Sequence, residues 1–149
     1  MTRIDSPLAS VVMDTSRPLA PRISQQTRHF WEALEQGHFE VSQCTTCEHS
    51  SFPPKSHCPQ CGAGQVTWRR LSGKGRLYSQ TTQYAGASQF QAELPFTLAI
   101  VDTEEGVRIL TRLLDSGVEP QLDQAVELVI LRYLDGPLFA ARAINSKAK

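Results

Sequence analysis

The sequence predicts a mainly β protein in which a small N-terminal helix precedes a metal-binding ribbon and a five-stranded closed barrel. Three observations support this fold class. Two CxxC pairs lie within residues 39–68, short strand-like segments separated by turns fill residues 69–144, and one helical apolar stripe precedes both regions. With 149 residues, the chain is long enough for one domain or two very small modules.

The two ends of the chain show no pattern of regular structure. Residues 1–22 are polar, carry Pro7, Pro18 and Pro21, and follow no hydrophobic period. Such segments bury little apolar surface by themselves, so we expect a flexible arm that becomes ordered on a partner. Residues 145–149 are expected to form a frayed tail.

The first regular element is a helix within residues 23–38. Ser24 can cap its N-terminus, and Gly37 can end it in the left-handed conformation that glycine adopts at little cost. The apolar stripe expected on this helix consists of Thr27, Phe30, Trp31 and Leu34. A helix of about 13 residues is marginal alone in water, so it must dock. Phe30 and Trp31 therefore pack either against the rest of this chain or against a partner subunit.

The four cysteines carry the strongest chemical signal. Cys44 and Cys47 form one CxxC pair, and Cys58 and Cys61 form a second pair followed by Gly62. The two-residue spacer directs both thiolates of a pair at one metal, and the second pair completes a tetrahedron. We therefore predict one structural zinc ion held by four cysteines. A rubredoxin-like iron electron carrier is the sharper alternative, and a pair of redox disulfides is a further one.

The region after the cysteines alternates apolar and polar residues as strands do. Strands are expected at residues 77–84, 96–101, 107–113, 126–134 and 138–144. Gly73 and Gly75 predict a bulge or sharp bend at the start of the first strand. Five short strands with apolar residues on both faces favour a small closed barrel over an open sheet.

Charge and motif content exclude several classes of function. The 15 basic and 15 acidic residues balance, which argues against a protein whose main task is to grip nucleic acid. A four-cysteine site leaves no position for a catalytic water, and the sequence lacks phosphate-loop, GxSxG and HExxH motifs. We expect a non-catalytic chain. Its longest apolar runs are far too short for a membrane helix, and no signal peptide is evident, so a cytoplasmic location is expected.

The order of these motifs resembles a bacterial and archaeal family of zinc-ribbon/OB-fold proteins long classified as a domain of unknown function. The resemblance covers residues 18–144. It rests on the helix motif at 30–34, the two CxxC pairs, Phe52-Pro53-Pro54, Trp68, the segment 72–79, and the strands after Pro95 and from Val107.

The resemblance implies a rubredoxin-like zinc ribbon at residues 39–68 and a five-stranded OB-fold barrel at residues 69–144. Members of this family are accessory subunits of thiolases and related acyltransferases, MaoC-like hydratases, and aldolases that act on acyl-CoA. The partner supplies the catalytic residues, and a heterotetramer of two plus two chains is implied. Phe30, Trp31 and Phe52 are candidate residues of the partner interface.

A basic cluster formed by Arg69, Arg70, Lys74 and Arg76 is compatible with an acyl-CoA ligand. The phosphates of coenzyme A are bound by guanidinium groups, ammonium groups and backbone N–H groups. Neighbouring residues of a strand point to opposite faces, so only some of these side chains can converge. The same cluster could balance the charge of the metal site, or it could serve a single-stranded nucleic-acid-binding protein, the alternative function.

Overall fold

The computed structural model describes residues 6–144, which form a mainly β fold. The expected tail at residues 145–149 and the first five residues of the expected arm lie outside the described residues. One helix, α1, spans Arg28–Glu35, and a 3₁₀ helix spans Ser88–Glu93. The strands are β1 (Ser10–Val12), β2 (Glu40–Cys44), β3 (Ser50–Ser51), β4 (Val66–Arg70), β5 (Lys74–Gln83), β6 (Phe96–Thr103), β7 (Arg108–Leu113), β8 (Ala125–Tyr133) and β9 (Gly136–Ala143).

The ribbon is a three-stranded antiparallel sheet in the order β3-β2-β4. Ser42, in the middle of β2, lies opposite Ser51 of β3 and Trp68 of β4. The sheet is small and cannot enclose a core by itself. Its β2 strand is nevertheless almost fully buried, because one side of the ribbon packs on the rest of the chain.

Strands β5, β6, β7, β9 and β8 form the predicted five-stranded closed barrel. Antiparallel pairs join β5 to β6, β6 to β7, and β8 to both β9 and β5. A parallel contact between Leu113 of β7 and Ala141 of β9 closes the circle. Closure pairs these strands around the barrel, except that β5 covers only residues 125–127 of one edge of β8.

The first barrel strand departs from the expected position of its irregularity. The bulge lies between Leu77 and Ser79, not at the glycines that the sequence singles out. Gly75 instead marks a close approach of two strands, because a Cβ there would lie 2.5 Å from the carbonyl oxygen of Asp102. A glycine within a strand signals either situation, and the sequence alone does not distinguish them.

Helix α1 begins later than expected, at Arg28. The predicted cap at Ser24 is therefore wrong: its hydroxyl accepts a hydrogen bond from the backbone N–H of Thr27 (3.2 Å) in the turn before the helix. Thr27 occupies the cap position and makes no side-chain capping bond. The predicted end is confirmed, since Gly37 has a φ of +100°.

An aromatic cluster joins the helix, the ribbon and the barrel. It consists of Phe30 of α1, Phe39, Phe52 and Phe139 of β9. Ring centroids of Phe39 lie 5.2 Å from Phe30, 5.1 Å from Phe52 and 4.9 Å from Phe139. Aromatic rings at such separations and tilted orientations attract each other beyond simple burial. The cluster therefore fixes the ribbon and the helix on one side of the barrel.

A second apolar cluster lies on the outer face of β8 and β9. Val129, Leu131, Tyr133 and Ala140 are buried there, although the opposite side chains of β8 already fill the barrel. Val11 and Met13 cover this outer cluster, and β1 pairs in parallel with residues 130–132 of β8. This ordered strand differs from the flexible arm expected for residues 1–22, because β8 offers it both a backbone edge and an apolar surface.

Candidate metal centre

Two short loops bring the four cysteines together. The last residue of β2 is Cys44, so the strand positions the first loop, and Cys58 begins the second loop. The Sγ atoms of Cys44 and Cys61 lie 3.6 Å apart, as do those of Cys47 and Cys58, and all four lie within 4.8 Å of one another. Sulfurs at 2.3 Å from a tetrahedral zinc ion are separated by about 3.8 Å, so the donor set fits zinc.

Backbone N–H groups point at the first sulfur of each pair. The N–H groups of Thr46 and Cys47 lie 3.3 and 3.4 Å from the Sγ of Cys44. In the second loop, Gln60 and Cys61 place theirs 3.3 and 3.5 Å from the Sγ of Cys58. Donors of this kind stabilise thiolates and fix the orientation of metal ligands. The two loops therefore share one pattern of hydrogen bonds.

These donors lower the pKa of the first thiol of each pair. The backbone N–H of Cys47 is the main cause that lowers the pKa of Cys44 to about 6. Burial raises the pKa of Cys58, but the backbone donors from Cys61 and its neighbour outweigh burial and lower it. A backbone donor from His49 lowers the pKa of Cys47, yet burial and the surrounding thiols outweigh it and raise this pKa to about 12.

Each loop closes with one residue in the left-handed conformation. The N–H of Glu48 donates to the carbonyl of Cys44 (3.0 Å), and the N–H of Gly62 donates to that of Cys58 (2.9 Å). Their φ angles are +68° and +80°. Glycine adopts this conformation freely, whereas glutamate does so at a cost of about 1–2 kcal/mol. The first loop therefore carries strain that the second loop avoids.

We expect Glu48→Gly to raise the free energy of unfolding of the zinc-loaded chain by about 0.5–1 kcal/mol, because it removes this strain. Its matched counterpart Gly62→Ala should lower it by about 1–2 kcal/mol, since no atom lies within 4 Å of the added Cβ and backbone strain alone acts. Thermal unfolding of both variants with bound zinc measures the difference. Loss of stability in Glu48→Gly would contradict the strain argument.

The arrangement is a closed, structural type of site. Cys44 and Cys58 are buried, at 2% and 4% exposure, and four cysteine donors fill a tetrahedral shell. His57 lies beside the second loop, where its ring contacts the hydroxyl of Ser56 at 3.2 Å. Among the residues that the structure describes, the cluster of potential metal ligands consists of the four cysteines. It includes neither His49 nor His57. A full shell holds structure together and offers no place for a reacting water.

The structure separates the basic cluster that the sequence singles out. Arg70 pairs with Glu40, with its Nε and Nη2 both 2.9 Å from one carboxylate oxygen. Arg69 donates to the hydroxyl of Ser50 at 3.1 Å. Lys74 and Arg76 lie on β5 and share one face of that strand, opposite to buried Leu77. Two of the four basic residues therefore lie on β4 and two on β5, and they do not form one cluster.

The sequence analysis does not single out Glu40, a buried carboxylate that lies opposite Arg70. Glu40 is 8% exposed and contacts both Arg70 and the imidazole of His29, which stacks on Trp68 with centroids 4.3 Å apart. Burial raises the pKa of Glu40, but hydrogen bonds from His29 and Arg70 outweigh it and lower the pKa. The network emerges only from the register of β2 and β4, which sets Glu40 opposite Arg70.

The three candidate interface residues differ in accessibility. Phe30 is 3% exposed and lies inside the aromatic cluster, so its side chain is already covered by this chain. Trp31 and Phe52 are partly buried and pack on the edge of the core. Both side chains therefore keep part of their surface exposed.

A cleft of about 630 Å³ separates the ribbon from the β6–β7 hairpin. Lys55 and Phe52 line its ribbon side, and Asp102 and Arg108 line its barrel side. Arg76 of β5 lies directly opposite Asp102 in the sheet, which in turn lies opposite Arg108. Within the cleft, Arg108 forms an ion pair with Asp102 at 2.7 Å, and Lys55 lines the opposite wall.

Two family models match consecutive parts of the chain. Residues 31–67 match the ChsH2 rubredoxin-like zinc ribbon domain, and residues 68–131 match the ChsH2 C-terminal OB-fold domain. A scaffold protein with a DUF35 domain from Methanocaldococcus jannaschii is 30% identical over 105 residues, which is 68% of this chain and 74% of the relative. The chain therefore belongs to the DUF35 family of zinc-ribbon/OB-fold proteins.

One further relative is named as an enzyme subunit, and one solved structure is named as an aldolase. Benzoylsuccinyl-CoA thiolase subunit BbsA from Thauera aromatica is 30% identical over 88 residues, covering 59% of this chain and 60% of the relative. A solved structure, the Ltp2-ChsH2(DUF35) aldolase, superposes with a TM-score of 0.72 and 25% identity over 83% of this chain and 98% of the matched one. Family and fold thus agree with the expectations from sequence. Among the described residues, no helix is long and apolar enough to cross a membrane.

Proposed function

We propose that this chain is the non-catalytic, zinc-binding accessory subunit of a heteromeric enzyme that acts on acyl-CoA, with a thiolase-like catalytic partner. The observation that carries the proposal is the combination of a closed four-cysteine site with an OB-fold barrel in a chain of the DUF35 family. Relatives of this architecture are named as a scaffold protein and as a subunit of a thiolase, and a similar solved structure is named as an aldolase. The partner would supply the catalytic residues.

The zinc ion in this proposal is structural and single. Cys44, Cys47, Cys58 and Cys61 would hold it, and its role would be to fold the two loops and keep the ribbon in place. The alternative of a single-stranded nucleic-acid-binding protein is not supported, because the relatives are named as scaffold proteins and as a subunit of a thiolase. The balanced charge of the chain agrees with this choice.

Affinity purification of the tagged chain from its native host tests the assembly. We expect a thiolase-like subunit to co-purify, with one zinc ion per chain and a mass of two plus two chains by light scattering. The isolated chain should show no turnover. Recovery of nucleic acid, or of the chain alone, would overturn the proposal.

We further propose that the ribbon–barrel cleft helps to bind the phosphates of coenzyme A. Lys55 and Arg108 line it, Arg108 in an ion pair with Asp102 at 2.7 Å, and Arg76 lies opposite Asp102 in the sheet register. Arg76 donates to the backbone carbonyl of Asp123 (2.8 Å), which holds its guanidinium in place while leaving other N–H donors free. Of the basic cluster, Lys74 shares the outer face of Arg76, whereas Arg69 and Arg70 are held by the ribbon.

In the assembled enzyme, we expect Arg76→Glu to weaken the affinity for the CoA thioester about 10-fold or more, since it replaces a cation by an anion beside a polyanionic ligand. Arg28→Glu, an equal charge change on an exposed position of α1, serves as the matched control. Calorimetric titration of both complexes measures the ratio. Equal affinities in the two variants would assign the basic residues to the ribbon or to solvent.

A further inference from the structure

The N-terminal segment follows a line of contacts with this chain, which we call the groove: Gly37, Gly73, the edge of β8 and Gly136. We call residues 7–17 the N-terminal clasp. It crosses three parts of the fold in succession: the end of α1, the junction of ribbon and barrel, and the β8–β9 hairpin. Neither family model covers it, since both matches lie within residues 31–131.

Each of the three crossings lies on a glycine. A Cβ at Gly37 would lie 2.8 Å from the Cβ of Pro7, and one at Gly73 would lie 2.6 Å from a methyl group of Leu8. A Cβ at Gly136 would lie 2.6 Å from the guanidinium carbon of Arg17. Contacts below 3.0 Å require something to shift. At Gly37 that is the ring of Pro7, whereas Leu8 and Arg17 present the ends of flexible side chains, which move at lower cost. The clasp therefore approaches the main part of the chain most closely at these three points.

Backbone hydrogen bonds run the length of the groove. The N–H of Leu8 donates to the carbonyl of Gly37 (2.7 Å), and the N–H of Ile130 donates to that of Ala9 (2.9 Å). Met13 donates to Arg132 at 2.8 Å, and Leu134 donates to Thr15 at 3.0 Å. This is the pattern by which an extended peptide adds to the edge of a sheet.

Side chains of the clasp alternate between pockets and solvent, as in a bound peptide. Leu8 packs on the main core, and Val11 and Met13 pack on the outer cluster of β8 and β9. Val12, between them, is 84% exposed.

An arginine anchors the far end of the clasp. The backbone N–H of Arg17 donates to Oδ1 of Asp135 (2.8 Å), and its guanidinium donates to the carbonyls of Asp135 (2.9 Å) and Pro137 (3.3 Å). The Arg17 side chain is largely buried. Backbone bonds give affinity in such complexes, while pockets and anchors give specificity.

We infer that the edge of β8, with the three glycine notches, is a peptide-binding site, and that residues 7–17 are its built-in ligand. The site accepts an extended strand that runs parallel to β8. Its ligand presents one leucine, two apolar residues spaced by one exposed position, and a terminal arginine. The clasp is joined to α1 by residues 18–27, which contain no strand in the structure.

The test cuts this connection in the otherwise complete, zinc-loaded chain. A protease site replaces residues 20–23, where Ile23 is 49% exposed, and the cleaved protein is passed over a size-exclusion column. We expect the N-terminal fragment to stay with the main part. A fluorescent peptide of residues 6–18, added in excess, should replace the fragment with saturation. Separation of the fragment at micromolar concentration, or no uptake of the peptide, would overturn the inference.

Variants in the peptide make the test specific. Leu8→Ala and Arg17→Ala should each weaken the affinity of the peptide at least 10-fold, because each removes one anchor. A longer peptide that ends at residue 23 carries the control Arg22→Ala, which changes an exposed residue outside the clasp and should have no effect. Since only the peptide is varied, misfolding of the main part cannot account for the result. Equal affinities of all three peptide variants would contradict the proposal that the side chains of Leu8 and Arg17 contribute to binding.

Discussion

Replacement of Cys58 by serine is expected to remove the zinc ion, unfold the ribbon and abolish assembly with the catalytic partner. Serine binds zinc far more weakly than a thiolate does, and Cys58 is a buried member of the four-sulfur cluster. Structural zinc contributes about 10–16 kcal/mol to small zinc-binding peptides at neutral pH, more than any other single group in this chain can supply. Metal analysis, hydrogen exchange over residues 39–68 and co-purification measure the three effects.

The matched control for this experiment is Ser56→Ala. Ser56 is exposed and lies two residues before Cys58, and its hydroxyl contacts the ring of His57. We expect it to keep zinc, ribbon protection and partner binding. If Cys58→Ser lost its zinc and still formed the full complex, the ribbon would not be a structural requirement for assembly.

Replacement of Phe39 by alanine is expected to lower the free energy of unfolding by about 3–5 kcal/mol, the range found for buried phenylalanines. Phe39 has no exposed surface and touches three other rings of the aromatic cluster. The deletion would leave a cavity at the point where helix, ribbon and barrel meet, and the packed walls cannot collapse to fill it. Chemical denaturation at constant zinc concentration measures the change.

Tyr84→Ala is the matched control for the aromatic deletion. Tyr84 is 78% exposed, so its removal should alter stability by no more than about 0.5 kcal/mol. A similar loss in both variants would show that ring size alone decides the effect. A loss below about 1 kcal/mol in Phe39→Ala would mean that the ribbon and the barrel are held together by other contacts.

The sequence is sufficient to predict the metal cluster and the barrel for physical reasons. The spacing of Cys44, Cys47, Cys58 and Cys61 restricts the directions of the sulfurs, so four residues define one site. The alternation in β6 and β7 likewise survives in the structure, because one face of each strand fills the barrel. Such signals are local in sequence, and the fold adds little to them.

Features that depend on the register of the strands could not be predicted from the sequence. Arg70 faces Glu40 because of how β4 pairs with β2, and the spread of the basic cluster follows from that pairing. The apolar stripe of α1 that includes Phe30 would look the same in the sequence whether it packed on a partner or on the core of this chain. The stripe therefore left both interpretations open. Only the packing of Phe139 and Phe52 around it decides for the core.

The sequence indicates β1 only indirectly, through the strand that it covers. Three residues are too few for a period, so Ser10–Val12 gives no pattern of its own. The continuous apolar run Val129-Ile130-Leu131 in β8 does give one, because a strand buried on both faces needs a cover outside the barrel. That cover is the clasp, although the run does not say which segment provides it.

The clasp also has a consequence for how the chain is made. The hydrogen bond between Arg132 and Ser10 joins residues 122 positions apart, so the groove does not exist until β8 has been synthesised. At about 5–20 residues per second, the segment waits outside the ribosome for roughly 6–24 seconds. During this time Val11 and Met13 have no apolar surface of this chain to pack on. Pro7 and Asp14 flank these apolar residues, and a proline and a charge are the features that keep a waiting strand from pairing with the wrong edge.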